Sequence, residues 1–159
     1  MKKLLALIAG IMLVFATPTM AQAAVIDLPA VVTITPNPAD ASTSPIVTVE
    51  VTVTNNTGAA KPVGLRLRAN GLTASQLKYQ SCNITPSPGV SWGCGEYVTS
   101  PSLEFGYSSP SLAAGASRTF TTTFKVYQYT PIGTYQMEYW AVSGSDTGPV
   151  TDTPDLELN

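Results

Sequence analysis

The chain has two cysteines, ten carboxylates and eight basic side chains among 159 residues, and no histidine. Without histidine the usual zinc sites, Ser-His-Asp triads and Cys-His dyads cannot be built. A serine or threonine nucleophile would have to rely on a lysine or a carboxylate as its base. Two carboxylates flanking a sugar could hydrolyse a glycosidic bond, and the candidate pairs are Glu96 with Glu104 and Glu50 with Glu138. Glu50 and Glu138 each fall on the polar face of a predicted strand, where a solvated outer position is the simpler account. Asp146, Asp152, Asp155 and Glu157 are close enough in sequence to be candidate calcium ligands. They lack a D-x-D-x-D-G loop, and Pro149 and Pro154 stiffen the segment, so a solvated edge is the favoured reading. This inventory predicts neither a metal, nor a cofactor, nor enzyme activity.

Cys82 and Cys94 permit one pairing, twelve positions apart. That spacing is far from C-x-x-C, and the intervening Pro86, Pro88, Gly89 and Gly93 read as a loop in need of a staple, so a structural disulfide is expected. Aromatic side chains are the better candidates for ligand contact. Trp140 alternates with Met137 and Tyr139 and faces outward if those fill a core. Tyr127 and Tyr129 fall opposite Phe124 and Val126 by the same rule, and Trp92 and Tyr97 flank the cysteine loop. Exposed rings stack on sugars or anchor a protein partner. A cover over Trp140, from the N-terminal segment or the 82–94 loop, would make it structural instead.

These residues must be positioned by what surrounds them. Lys2 and Lys3, the uncharged run Leu4 to Ala16 and the Ala21-Gln22-Ala23 ending have the form of a cleaved Sec signal over residues 1–23. The apolar run has 13 residues, against roughly 20 needed to span a bilayer. The mature unit is then 24–159, one domain, exported to the periplasm or beyond, with no membrane span. Its charge of six basic against ten acidic, −4, excludes an electrostatic nucleic-acid footprint.

Within it, period-two alternation dominates. Val47, Val49, Val51 and Val53 share one face opposite Thr48, Glu50, Thr52 and Thr54, and Asn55-Asn56-Thr57-Gly58 supplies the turn. Further strands are predicted at Val31–Thr35, Val63–Arg68, Leu103–Tyr107, Thr119–Val126 and Tyr135–Val142, with Leu156 and Leu158 closing the domain. Leu72 to Tyr79 is the one candidate for a helical turn or two. About seven short strands with one apolar face each specify an all-β, antiparallel β-sandwich in a single domain.

Two stretches refine this. Val47 to Gly58 and Leu112-Ala113-Ala114-Gly115-Ala116-Ser117-Arg118-Thr119-Phe120 resemble bacterial immunoglobulin-like modules of the cell-adhesion-related (CARDB-like) and related surface-protein type. Pro131-Ile132-Gly133-Thr134-Tyr135 resembles the G-x-Y corner of such folds, where Gly133 and Tyr135 mark a crossover between sheets. The resemblance implies an immunoglobulin-like sandwich that binds a protein or glycan at a surface. Met137 stands where an immunoglobulin domain has its second cysteine, so the inter-sheet disulfide of that fold is not expected. In a competing topology Thr130 to Gly133 is a hairpin loop and Lys125 faces Glu138; the corner is favoured.

Three functions are weighed, and the first is preferred. The first is an exported binding or adhesion module that contacts a protein or glycan. The second is a structural subunit that self-associates by adding Ala24 to Thr35 to a neighbour's sheet. The third is a carboxylate-based hydrolase.

Overall fold

The computed structural model describes residues 30–89, 91–98, 103–144, 146–151 and 154–159, with Ala30, Tyr97, Val98 and Asp146 described through the backbone alone. The proposed signal over 1–23 lies outside these residues. In chain order the strands are β1 (Ala30–Thr35), β2 (Ile46–Thr54), β3 (Lys61–Pro62), β4 (Gly64–Ala69), β5 (Leu77–Thr85) and β6 (Gly93–Val98). They continue with β7 (Leu103–Ser108), β8 (Ser111–Leu112), β9 (Ser117–Val126), β10 (Gly133–Tyr135), β11 (Met137–Ser143), β12 (Asp146–Thr147) and β13 (Leu156–Leu158). One 3-10 turn, Ala41–Thr43, is capped by the Asp40 carboxylate, which accepts from the Ser42 N–H at 2.9 Å.

The strands form two principal antiparallel sheets, in the orders β1-β2-β9-β5 and β12-β11-β4-β7-β6. Two short ladders, β10-β13 and β3-β8, close the ends. The alternation explains the layers. Val47, Val49, Val51, Val53, Phe120, Phe124 and Val126 point inward from the first sheet and meet Leu65, Leu67, Phe105, Met137 and Tyr139 of the second. The Phe105 ring packs against Tyr79, Tyr107 and Phe124 at centroid distances of 4.8, 5.3 and 5.9 Å. Tyr107 also joins the sheets by a polar contact: its hydroxyl lies 2.5 Å from both the Thr121 carbonyl and Thr122 Oγ1. Burial pushes the phenols of Tyr107 and Tyr139 well above the usual tyrosine range.

Eight of the strands are six residues or longer, close to the number read from the alternation, and the fold is an all-β, immunoglobulin-like antiparallel sandwich. Two segments depart from expectation. The Leu72–Tyr79 helix is a single turn: Leu77 N–H donates to the Thr73 carbonyl at 2.9 Å, and the Gln76 amide oxygen accepts from the Thr73 N–H at 3.0 Å. The chain then enters β5, because pairing Leu77 and Tyr79 with β9 buries apolar surface that an isolated second turn would leave in water. The cysteine segment, read as a loop, has strand at both ends, β5 and β6.

The disulfide between Cys82 and Cys94 is formed, with Cα atoms 6.7 Å apart. It ties β5, an edge of the four-stranded sheet, to β6, an edge of the five-stranded sheet. An inter-sheet disulfide is therefore present after all, at the sandwich's open side rather than at Met137. The competing hairpin is also overturned. Lys125 stands opposite Ile46 and Lys78 in one sheet, whereas Glu138 stands opposite Arg68 in the other. The chain crosses between sheets at 127–136, and the Tyr135 hydroxyl donates to the Pro131 carbonyl at 2.6 Å.

Candidate outer-face binding site

The outward positions of β11, β4, β7 and β6 align in rows. The first row runs Glu138, Arg68, Glu104, with the backbone of Tyr97 in register beside Glu104; the second runs Trp140, Arg66, Gly106, Gly95. In the third, Val142 faces Gly64 and Ser108 faces Gly93. One sheet surface thus carries a charged row, an aromatic–cation row and a patch nearly free of side chains.

Arg68 organises the charged row. Its Nη1 donates to Glu138 Oε2 at 3.0 Å and its Nη2 lies 3.5 Å from Glu104 Oε2. Arg66 Nη1 lies 3.7 Å from Glu104 Oε1. The Arg68 guanidinium also sits 5.1 Å from the Trp140 ring centroid, a cation–π contact. Trp140 therefore does face outward and is half-buried, and what covers it is Arg68 of its own sheet.

The second row, beyond Trp140, and the third row line a groove of about 450 Å³. Gly64, Gly95 and Gly106 floor it, Val142 and Pro62 wall it, and Arg66 stands in its lining. Gly64 has no room for a side chain: a Cβ there would meet the Tyr107 carbonyl and come within 2.7 Å of Val142 Cγ2. At the groove's end, Ser109 donates to the Val63 carbonyl and accepts from Arg118 Nη1 at 2.7 Å. Arg118 is buried, also donates to the Pro110 carbonyl at 2.8 Å, and forms no ion pair among the described residues. Burial lowers its pKa.

The other aromatic candidates disperse. Trp92 is half-buried and packs against the core. Tyr97 lies in β6 with its backbone opposite Glu104. Tyr127 is half-buried beneath Lys125, whose Nζ is 5.8 Å from the ring, and Tyr129 is exposed at the far end of the sandwich. Neither carboxylate pair converges. Glu50 and Glu138 stand on opposite outer faces. Glu96 stands opposite the core residue Phe105, on the inner side of its sheet, whereas Glu104 points out. Of the calcium candidates, Asp155 accepts from the Met137 N–H at 3.3 Å, Glu157 is exposed on β13, Asp146 lies in β12, and Asp152 is outside the described residues. No group of three potential metal ligands occurs among the described residues.

Two serine spacings associated with nucleophiles also occur. Gly89-Val90-Ser91-Trp92-Gly93 matches G-x-S-x-G, but Ser91 lies exposed in a loop that leads into β6, where a nucleophile elbow requires a helix. Ser75-Gln76-Leu77-Lys78 matches S-x-x-K, but Ser75 Oγ is 2.8 Å from Thr73 Oγ1 and Lys78 is exposed on β5 opposite Lys125.

Arg66, Arg68 and the glycines were not legible as a site. Their outward parity was readable, but nothing local states that β4 lies between β11 and β7.

No family model and no curated protein sequence matches the chain. Solved structures do match. AvmM, which catalyses macrocyclization in alchivemycin A biosynthesis, superposes with a TM-score of 0.56 at 13% identity, over 82% of this chain and 88% of its own. A cohesin module from a Clostridium perfringens family 33 glycoside hydrolase gives 0.51 at 6% identity, over 83% and 96%. The C-terminal domain of the Streptococcus agalactiae AgI/II polypeptide BspA gives 0.50 at 14% identity, over 77% of this chain and 46% of that one. At such identities the likeness is one of fold.

Proposed function

We propose that this chain is an exported, non-enzymatic binding module that meets a protein or a glycan with the outer face of its five-stranded sheet. The observation that carries this is the Trp140 ring, held outward and oriented by Arg68, within a row that continues through Arg66 to open glycine backbone. A fixed aromatic face beside hydrogen-bonding cations can stack on a sugar ring or anchor a partner side chain without first being ordered. The separation of the carboxylate pairs supports a binding role over hydrolysis. The likeness to a protein that catalyses macrocyclization extends to the fold alone.

Export is supported by the signal-like residues 1–23 and by the disulfide, which suits an oxidising compartment. Among the described residues no helix is long and apolar enough to cross a membrane. Strand donation from the N-terminus is less well supported: Ala30–Thr35 is already paired with β2 within the chain's own sheet.

The test is a screen of immobilised glycans and surface proteins, followed by titration of any ligand found. Trp140→Ala should weaken binding by about tenfold or more, as loss of an aromatic anchor does, while Thr121→Ala on the opposite face changes nothing. Equal binding by wild type and Trp140→Ala would refute the assignment of this face.

A further inference from the structure

Two regions of the sandwich stand out: one presents exposed apolar side chains, the other a groove of nearly bare backbone. At one end, between β9 and β10, the chain turns through Tyr127–Ile132. The turn is held firmly. The Tyr127 N–H and the Thr130 hydroxyl both donate to the Gln76 carbonyl, at 3.0 and 2.9 Å, and the Thr130 N–H donates to the Tyr127 carbonyl at 2.8 Å. Tyr135 secures Pro131 from the other side. Yet Tyr129 is 86% exposed and Ile132 73% exposed, and no charged residue occurs between Lys125 and Glu138. The fixed turn thus presents two large apolar side chains to solvent.

The glycine-floored groove opens on the outer face of the five-stranded sheet, from the Arg66–Gly106–Gly95 row toward the opposite end. β11 starts on the turn's side at Met137 and ends at Val142 and Ser143, beside the groove lining, Met137 to Val142 spanning about 17 Å at strand rise. Arg66, which also lies 3.7 Å from Glu104, is the charged side chain of that lining, and Lys61 adjoins Pro62; Arg118, behind Ser109, is buried and not part of the rim. Around the turn, exposed Glu157 faces Thr134 across the β10-β13 ladder and exposed Asp40 caps the neighbouring 3-10 turn, while Lys78 and Lys125 occupy the outer face of the four-stranded sheet.

We propose that the groove receives the Tyr129–Ile132 turn of a second copy of this chain. The Tyr129 ring would lie on the bare backbone of Gly95 and Gly106 with Arg66 at its face, and Ile132 would meet Val142 and Pro62. Glu157 and Asp40 would approach the cationic rim. The turn is rigid before contact, so association loses little conformational entropy. Since the two surfaces differ and share no residue, the contact is heterologous, and its repetition builds head-to-tail chains rather than a closed two-fold dimer.

Light scattering on the purified protein, from micromolar to near-millimolar concentration at neutral pH, tests this. The mass should grow with concentration. Tyr129→Ser combined with Ile132→Ser should weaken association by about tenfold or more; both side chains are in water, so the fold is spared. Gly95→Val should do the same by filling the groove, because a Cβ at Gly95 meets nothing within 4 Å and leaves the fold intact. The mixture is decisive. The turn variant keeps its groove and the groove variant keeps its turn, so together they should form one-to-one dimers and stop, while each alone stays monomeric. Trp140 lies outside the groove lining, so Trp140→Ala should associate as wild type while losing ligand. The turn variant should keep ligand binding, which separates the two readings although Arg66, Gly106 and Gly95 serve both. A wild-type chain monomeric throughout would overturn the proposal, as would growth that survives either variant.

Discussion

The two outer faces of the sandwich come from the same period-two pattern and differ in what they display. On the four-stranded sheet, Thr35, Thr48, Thr123 and Ser81 form one row across four strands, and Thr52 and Thr119 stand side by side in another. Their hydroxyls satisfy one another, with Thr52–Thr119 at 2.7 Å, Thr54–Ser117 at 2.8 Å and Ser81–Thr123 at 2.6 Å. That face is mostly hydroxyl and internally bonded, with Glu50, Lys78 and Lys125 as its charges. The five-stranded sheet instead sets an ionic row against a Trp–Arg row and a glycine groove. Strand formation asks only for β-formers that tolerate water, and threonine meets that demand. The contrast on the other face exceeds it, which is why binding is assigned there.

The comparison can be broken in four ways, beginning with the largest effect. Both tyrosines with raised pKa values, Tyr107 and Tyr139, belong to the five-stranded sheet, whereas the four-stranded sheet buries Phe120 and Phe124. A phenol held neutral in the folded state ionises more readily once unfolded. Its stabilising contribution is therefore complete below the unfolded pKa near 10 and is lost as pH rises toward the folded value. Each group removes about 1.4 kcal/mol per pH unit above about pH 10. Urea midpoints measured between about pH 9 and 12 should fall accordingly, and Tyr139→Phe should halve the slope. An unchanged slope would place the alkaline sensitivity elsewhere.

Next, Gly64→Val should cost about 3 kcal/mol, because the added side chain collides with β7 and with Val142. The matching change on the other face, Thr52→Val, should cost less than about 1 kcal/mol. Chemical denaturation of the two variants compares the faces directly. Reducing the disulfide removes the tie between the sheets' edges and should cost up to about 3 kcal/mol for a loop of this length, seen as a lower melting temperature in reductant. The smallest effect belongs to the ionic row. Glu138→Gln should change stability by only about 0.5 kcal/mol, and less in high salt, because the Arg68 side chain is 38% exposed.

How much of this was legible varies with the element. β2 and β9 were plain because their apolar positions keep one parity from end to end. β5 was not, and the reason is local: the register shifts between Tyr79 and Ser81. Leu77 and Tyr79 face inward before that bulge, and Cys82 and Ile84 after it, so the alternation changes phase and no period-two pattern survives. Thr73 and Gln76 added a helix-start signal that one turn honours.

By itself the sequence determined the all-β class, the inward and outward parity of most strands, the pairing of its two cysteines and the outward direction of Trp140. All of these follow from rules that act over one to a few residues, or from there being a single possibility. Strand order was decided only by the tertiary structure, and with it the neighbours of Trp140, the inter-sheet placement of the disulfide and the groove. Arg68 and Glu138 are 70 positions apart and Arg68 and Glu104 are 36 apart. Gly64, Gly95 and Gly106 come from three different strands. Which strands lie side by side is chosen by how the two apolar faces bury one another, an energy that belongs to the whole sandwich and to no single segment.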